Sequence, residues 1–232
     1  MVFRDFSDFD AMIASLADEI VARLTRDVTL RGHASMALSG GTTPGPLFDL
    51  LSRRNAPWNK VWITLSDERW IATDQDGSNE HLVRTRLLKD NAAKAHFVGL
   101  KTLDPRASEG EVKANAAITK IPRPFTVMLL GMGDDGHTAS LFPHAPELTE
   151  ALKTSDPALV RAVVAKGAAQ TDERISLSLR AILDSEWIVV LLKGAAKRVA
   201  YEAASTGNDV QEMPVRAVLN QNAAPTDVYW AP

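Results

Sequence analysis

Ala34-Ser35-Met36-Ala37-Leu38-Ser39-Gly40-Gly41-Thr42-Thr43-Pro44 passes from a short apolar run through a glycine loop to a proline that opens a helical stretch over Pro44–Arg53. An apolar run without polar alternation suits a strand buried on both faces of a sheet. Proline is favoured in the first turn of a helix, where its missing N–H would have had no partner anyway. Strand, loop and helix in that order make the unit of an α/β fold, and the unit recurs outward from here. Apolar runs of strand length stand at Val61–Leu65, Phe125–Leu130, Leu159–Val164 and Trp187–Leu192, with helical stretches at Asn79–Leu88, Ser108–Lys120 and Ala195–Ser205 between most of them. Towards the N-terminus, Phe6, Phe9, Met12, Ile13, Leu16, Ile20 and Leu24 recur at three- and four-residue steps, an amphipathic helix with its cap near Ser7 or Asp8. The alternation predicts an α/β fold, a three-layer α/β/α arrangement with a mainly parallel sheet, formed by residues 1–232 as a single domain.

Composition narrows the function. With 45% hydrophobic and 24% charged residues the chain has the make-up of a folded globular protein rather than a disordered tail. Its 26 basic and 29 acidic residues give a net charge of −3 without a basic block, so no nucleic-acid partner is expected and any phosphate site must be local. The absence of cysteine excludes disulfides, thiolate metal sites and a cysteine nucleophile. Acidic residues at Asp5, Asp8 and Asp10 do not suit a signal peptide, and no apolar run is long enough to span a bilayer, so no membrane partner and a cytoplasmic location are expected. A monomer or small homo-oligomer fits, and composition does not choose between them.

Polar loops follow three strand candidates, at Ser39–Pro44, Ser66–Asn79 and Gly131–Pro143. Loops after parallel strands are where open α/β sheets place their ligands, so the three should converge on one edge. Ser39, Gly40, Gly41, Thr42 and Thr43 could cradle a phosphate with backbone amides and hydroxyls. The plainer reading of that loop is a tight turn with a Ser or Thr helix cap. It is not a nucleotide P-loop, which would end in Gly-Lys-Ser/Thr, nor a hydrolase nucleophile elbow, since Ala37 stands at the first glycine position. In Ser66-Asp67-Glu68-Arg69, Arg69 offers a planar cationic fork for an oxyanion, which the neighbouring carboxylates could orient. An exposed Asp–Arg pair is the plainer alternative.

The third loop, Gly131-Met132-Gly133-Asp134-Asp135-Gly136-His137-Thr138-Ala139-Ser140-Leu141-Phe142-Pro143, admits several readings. Gly131, Gly133 and Gly136 match a dinucleotide fingerprint, with Asp156 near the spacing of a ribose-binding acid. Two aspartates between those glycines would repel a pyrophosphate, however. Asp134, Asp135 and His137 could ligate a metal, but no helical histidine pair or second cluster supports the set. A lone histidine is often structural. In an accessible glycine loop beside acids, His137 can instead serve as a general base for water. Arg174 and Lys197 complete the candidates, the first for bidentate geometry and the second as a point charge on a phosphate.

Taken in order, Ser39–Pro44, Ser66–Arg69, Gly131–Pro143, Arg174 and Gly194–Lys197 resemble the family that joins 6-phosphogluconolactonases with glucosamine-6-phosphate deaminases, over nearly the whole chain. The resemblance implies a modified Rossmann-like sheet, a phosphate held by the Ser39–Thr43 loop with Arg174 and Lys197, and hydrolysis of a phosphosugar lactone in the oxidative pentose phosphate pathway, with no metal or organic cofactor. His137 through Pro143 resemble the lactonase version, where deaminases carry isoleucine, asparagine and glutamate in the corresponding stretch. On this reading His137, Asp135 and Arg69 are the catalytic set, with His137 as base and Arg69 or loop amides facing the oxyanion. Spacing assigns Asp135 no direct contact with His137; orienting water, binding a sugar hydroxyl and holding Arg69 all stay open. A deaminase and a non-catalytic sugar-phosphate-binding regulator are the alternatives.

Overall fold

A computed structural model describes residues 1–232. In chain order the elements are β1 (Val2–Asp5), α1 (Phe9–Arg31), β2 (Ala34–Leu38), α2 (Gly45–Arg53), β3 (Val61–Leu65), β4 (Asp67–Arg69), α3 (Asn79–Arg86), β5 (His96–Phe97) and α4 (Ala107–Ile118). They continue with β6 (Val127–Leu130), α5 (Leu148–Ala151), β7 (Val160–Val164), β8 (Glu173–Leu177), α6 (Leu179–Leu183), β9 (Ile188–Lys193), α7 (Ala195–Thr206), α8 (Arg216–Leu219) and β10 (Thr226–Ala231). No helix is long and apolar enough to cross a membrane.

The N-terminal helix forms as its periodicity predicts. Met12, Ile13, Leu16, Ile20 and Leu24 are buried on one face, Asp8 caps the start by accepting from the Asp10 amide at 2.8 Å, and Gly32 ends the helix at φ 78°. Phe6 lies outside it, its amide bonded to the Trp230 carbonyl at 3.0 Å where β1 leaves the sheet. The seven strands β1-β10-β9-β6-β2-β3-β5 pair in parallel throughout. β2 and β6 are buried at every position, which is why their sequences show no alternation. Along β9, Val189 and Leu191 join the main core with α1, whereas Val190 and Leu192 join a second core with Ala200, Tyr201 and Ala204 of α7. Successive residues thus face opposite helical layers, and three layers result.

One strand goes elsewhere. The apolar run Leu159–Val164 was expected among the main strands, but Val160–Val164 joins a separate antiparallel sheet of order β4-β8-β7. Unlike β2 and β6, this strand is not buried throughout: Ala162 is half-buried and Val164 exposed on one face, and Arg161 on the other pairs with Glu111 at 2.9 Å. Ser66 is the corner between the sheets, its amide bonded to Leu38 and its carbonyl to the Leu177 amide, both at 2.8 Å.

From β2 the chain winds through β3 and β5 to one edge, then returns to β6 beside β2 and winds through β9 to β10, which pairs with β1 at the other edge. Loops leaving the adjacent strands β2 and β6 therefore diverge, and the crevice between them is where a doubly wound sheet opens to a ligand.

Candidate active site

A cavity of about 280 Å³ occupies that crevice, and 3 of its 18 lining residues are hydrophobic, which suits a small polar ligand. Ser39, Gly40, Gly41, Thr42 and Thr43 line one wall, with Arg69, His137, Arg174 and Lys197 around them. Of the expected site residues only Asp135 is not on the cavity wall.

The glycine loop is not spent on capping its helix. α2 has no side-chain cap, and Pro44 sits at the cap position rather than inside the first turn. The first bond back along the chain is from the Phe48 amide to the Pro44 carbonyl at 3.0 Å, so the helix begins with free N–H donors beside the cavity. Gly40 is required by its neighbour: a Cβ there would lie 1.7 Å from Asn79 Oδ1.

β4 and β8 set the two arginines. The antiparallel register places Arg69 directly opposite Arg174, so both guanidiniums project from one face of the ribbon. Arg69 donates through Nη1 to the Gly77 carbonyl, and Arg174 through Nη2 to the Ala169 carbonyl at 2.6 Å. The Nε of each is buried without a partner. Arg174 is 4% exposed; burial pushes its pKa down, with the Asp67 carboxylate opposing. Neither arginine forms an ion pair, an arrangement that an anion would complete.

The expectation that neighbouring carboxylates orient the Arg69 fork is corrected. Glu68 is fully buried and accepts from the amides of Arg69 (2.7 Å), Asn79 (2.8 Å) and Glu80 (2.7 Å) and from the Ser78 hydroxyl (2.9 Å). Burial pushes its carboxyl up against those four donors, and it pins the start of α3 onto β4. Asp67 lines the cavity while accepting from Ser140 Oγ at 2.5 Å and Asn79 Nδ2 at 3.3 Å. Asp67 was expected to orient Arg69 and Asn79, at the end of the loop, had no role; the fold turns both toward the cavity instead.

In the third loop the Gly133 amide bonds to the His137 carbonyl at 2.8 Å, and the Gly136 amide to the Gly133 carbonyl at 3.0 Å. Gly136 has φ 79°, and a Cβ there would meet Met213 at 2.6 Å. This tight turn brings the side chains two positions apart together: His137 Nδ1 lies 2.6 Å from Asp135 Oδ1, the direct contact that spacing did not assign. Burial pushes the Asp135 carboxyl up, but the bond to His137 and its charge outweigh that and hold it below the usual range. A carboxylate only accepts, so Nδ1 is the donor of this bond, and in the neutral ring the lone pair is on Nε2. The ring stacks on Phe142 at 4.3 Å, and Phe142 also lies 5.4 Å beneath the Arg174 guanidinium.

Lys197, in the first turn of α7, reaches the cavity and pairs with Asp134 Oδ1 at 2.7 Å. Lys193, at the end of β9, lines the cavity too, with Nζ 4.0 Å above the Phe9 ring. Sequence reading missed it because it closes an apolar strand and belongs to no motif. Asp156 takes no part: it accepts from the Ala158 amide at 2.9 Å and pairs with Arg161, so the ribose acid of the dinucleotide reading is lacking.

The profile described as glucosamine-6-phosphate isomerases/6-phosphogluconolactonase matches residues 7–230. A 6-phosphogluconolactonase of Rhizobium meliloti (strain 1021) is 40% identical over 227 residues, covering 98% of this chain and 97% of that protein. A 6-phosphogluconolactonase of Mesorhizobium japonicum is 39% identical over 228 residues, covering 98% and 94%. The crystal structure of a 6-phosphogluconolactonase from Shewanella baltica OS155 superposes with a TM-score of 0.97 at 44% identity, covering 100% of this chain and 98% of that one.

Proposed function

The chain belongs to the glucosamine-6-phosphate isomerase/6-phosphogluconolactonase family, and from that premise we propose that it hydrolyses 6-phospho-D-glucono-1,5-lactone to 6-phosphogluconate, in the oxidative pentose phosphate pathway and in the cytoplasm. One observation carries the reading: the 2.6 Å His137–Asp135 pair belongs to a ring that lines the same cavity as Arg69, Arg174, Lys193 and Lys197. A base and an anion-binding set thus share one space.

In this reading the phosphate dianion is held by Arg174, Lys197 and the amides and hydroxyls of Ser39–Thr43. His137 Nε2 takes a proton from water, and the water oxygen bonds to the lactone carbonyl carbon. The oxyanion that forms is met by Arg69 or by glycine-loop amides. Collapse of the tetrahedral centre breaks the bond to the ring oxygen, which leaves with the proton that His137 had taken, so the imidazole is restored. Asp135 keeps the ring in the tautomer that can act and stabilises its cationic form. The ester carbonyl is already electrophilic, so no covalent intermediate is needed. Residues 1–232 act as one domain, a reading supported by the pairing of β1 with β10 from opposite ends of the chain.

The test is a coupled assay with freshly generated lactone, with the spontaneous opening subtracted as a buffered blank. Acceleration above the blank supports the reading. Ammonia release from glucosamine 6-phosphate would instead assign a deaminase. Binding of 6-phosphogluconate without acceleration would assign a regulator.

A further inference from the structure

Four cations line the cavity, and they are not held alike. Arg69 and Arg174 donate to backbone carbonyls, and Lys193 lies over an aromatic ring. Lys197 alone is paired with a carboxylate, Asp134 Oδ1 at 2.7 Å. The pair is asymmetric. Lys197 is 30% exposed and on the cavity wall, whereas Asp134 is 72% exposed and outside it. Its neighbour Asp135 is committed to His137, so Asp134 is the carboxylate of the turn left to face Lys197.

We infer that Asp134 is an exchangeable counter-ion of the phosphate subsite: it occupies Lys197 when the site is empty and gives way to a phosphate dianion. The inference rests on the substrate reading above, since it supposes that the phosphate comes to Lys197. Physically it is an exchange of partners. A carboxylate so exposed returns to water with little change in its solvation, so release costs little beyond the pair itself. A phosphate carries about −1.5 to −2 charges and three acceptor oxygens against the single charge of Asp134, so it wins the ammonium. A ligand without the phosphate places no comparable charge on Lys197 and leaves the pair with Asp134 intact. The same contact can re-form as the phosphorylated product departs, which weakens retention of a product that keeps its phosphate.

The experiment compares four proteins by calorimetric titration with 6-phosphogluconate: wild type, Asp134→Asn, Lys197→Gln and the double variant. Removing the competitor tightens binding by roughly two- to fivefold, the scale of an exposed ion pair. It does nothing in the Lys197→Gln background. Gluconate, which lacks the phosphate, binds wild type and Asp134→Asn equally. Unchanged or weaker binding of 6-phosphogluconate by Asp134→Asn would overturn the inference, because the carboxylate would then be positioning Lys197 rather than competing for it. Equal tightening in both backgrounds would overturn it as well, leaving only general charge repulsion. Inorganic phosphate separates this from the substrate reading. If wild type binds phosphate but not 6-phosphogluconate, the substrate reading falls, and the same four-protein comparison made with phosphate decides the counter-ion. If it binds neither, both fall.

Discussion

His137 and Asp135 show how much a single turn decides. Their side chains meet because Gly136 takes a left-handed conformation that brings residue 137 back over residue 135. Replacing His137 with alanine removes the base and should lower kcat by roughly 10²- to 10⁴-fold with KM little changed, as read from initial rates above the blank. Arg174→Ala should act on binding instead. Loss of a charge-assisted contact of about 1.5–3 kcal/mol raises KM by roughly ten- to a hundredfold. Gly136→Ala tests the turn itself: φ 79° disfavours a side chain, and the added methyl meets Met213. Its expected outcome is a large loss of kcat with the far-ultraviolet circular dichroism retained. Residue types were legible in the sequence here, because glycines, acids and a histidine in one loop announce chemistry. Their contacts were not: the Asp135–His137 bond depends on a backbone dihedral, and Asp67, Asn79 and Lys193 acquire a cavity to face only when distant elements surround them.

At the scale of elements, buried carboxylates fasten the layers. Asp27, 1% exposed and one turn before the end of α1, accepts from Arg26 Nε at 2.9 Å and from Arg31, which also reaches the Thr126 hydroxyl ahead of β6. Burial pushes the Asp27 carboxyl up, but the Thr126 hydroxyl and the two arginines outweigh it and hold it below the usual range. A depressed folded value means the stabilisation is complete above the unfolded value of about 4 and is lost as pH falls through the folded one. Asp27→Asn should therefore cost about 1–3 kcal/mol at pH 7, less than a fully buried pair because Arg26 is half exposed. It should also flatten the acid limb of the stability curve, as measured by urea midpoints at successive pH values. Helices and central strands were legible because each carries its period or its unbroken apolar run. β4 and β8 were not, since Asp67-Glu68-Arg69 and Glu173-Arg174 are charged and become strands only by pairing with each other.

For the whole molecule, ligand and fold are linked by mass action. 6-Phosphogluconate at a hundred times its Kd should stabilise the native state by about 2.7 kcal/mol, raising Tm by roughly 5–10 °C in a chain of this size. Thermal melts with and without ligand check this, and Arg174→Ala should lose the shift at the same concentration. By itself the sequence determined the alternation of strands and helices, the three loops at the strand ends and the chemical types gathered there, because periodicity, turn residues and charge are properties of neighbours in the chain. The tertiary structure alone decided the strand order that opens the crevice, the departure of β7 to a second sheet, the pairing of Arg69 with Arg174 and the arrival of Lys193. Those depend on which surfaces meet, and contact between distant segments is set by packing over the whole fold rather than by any local pattern.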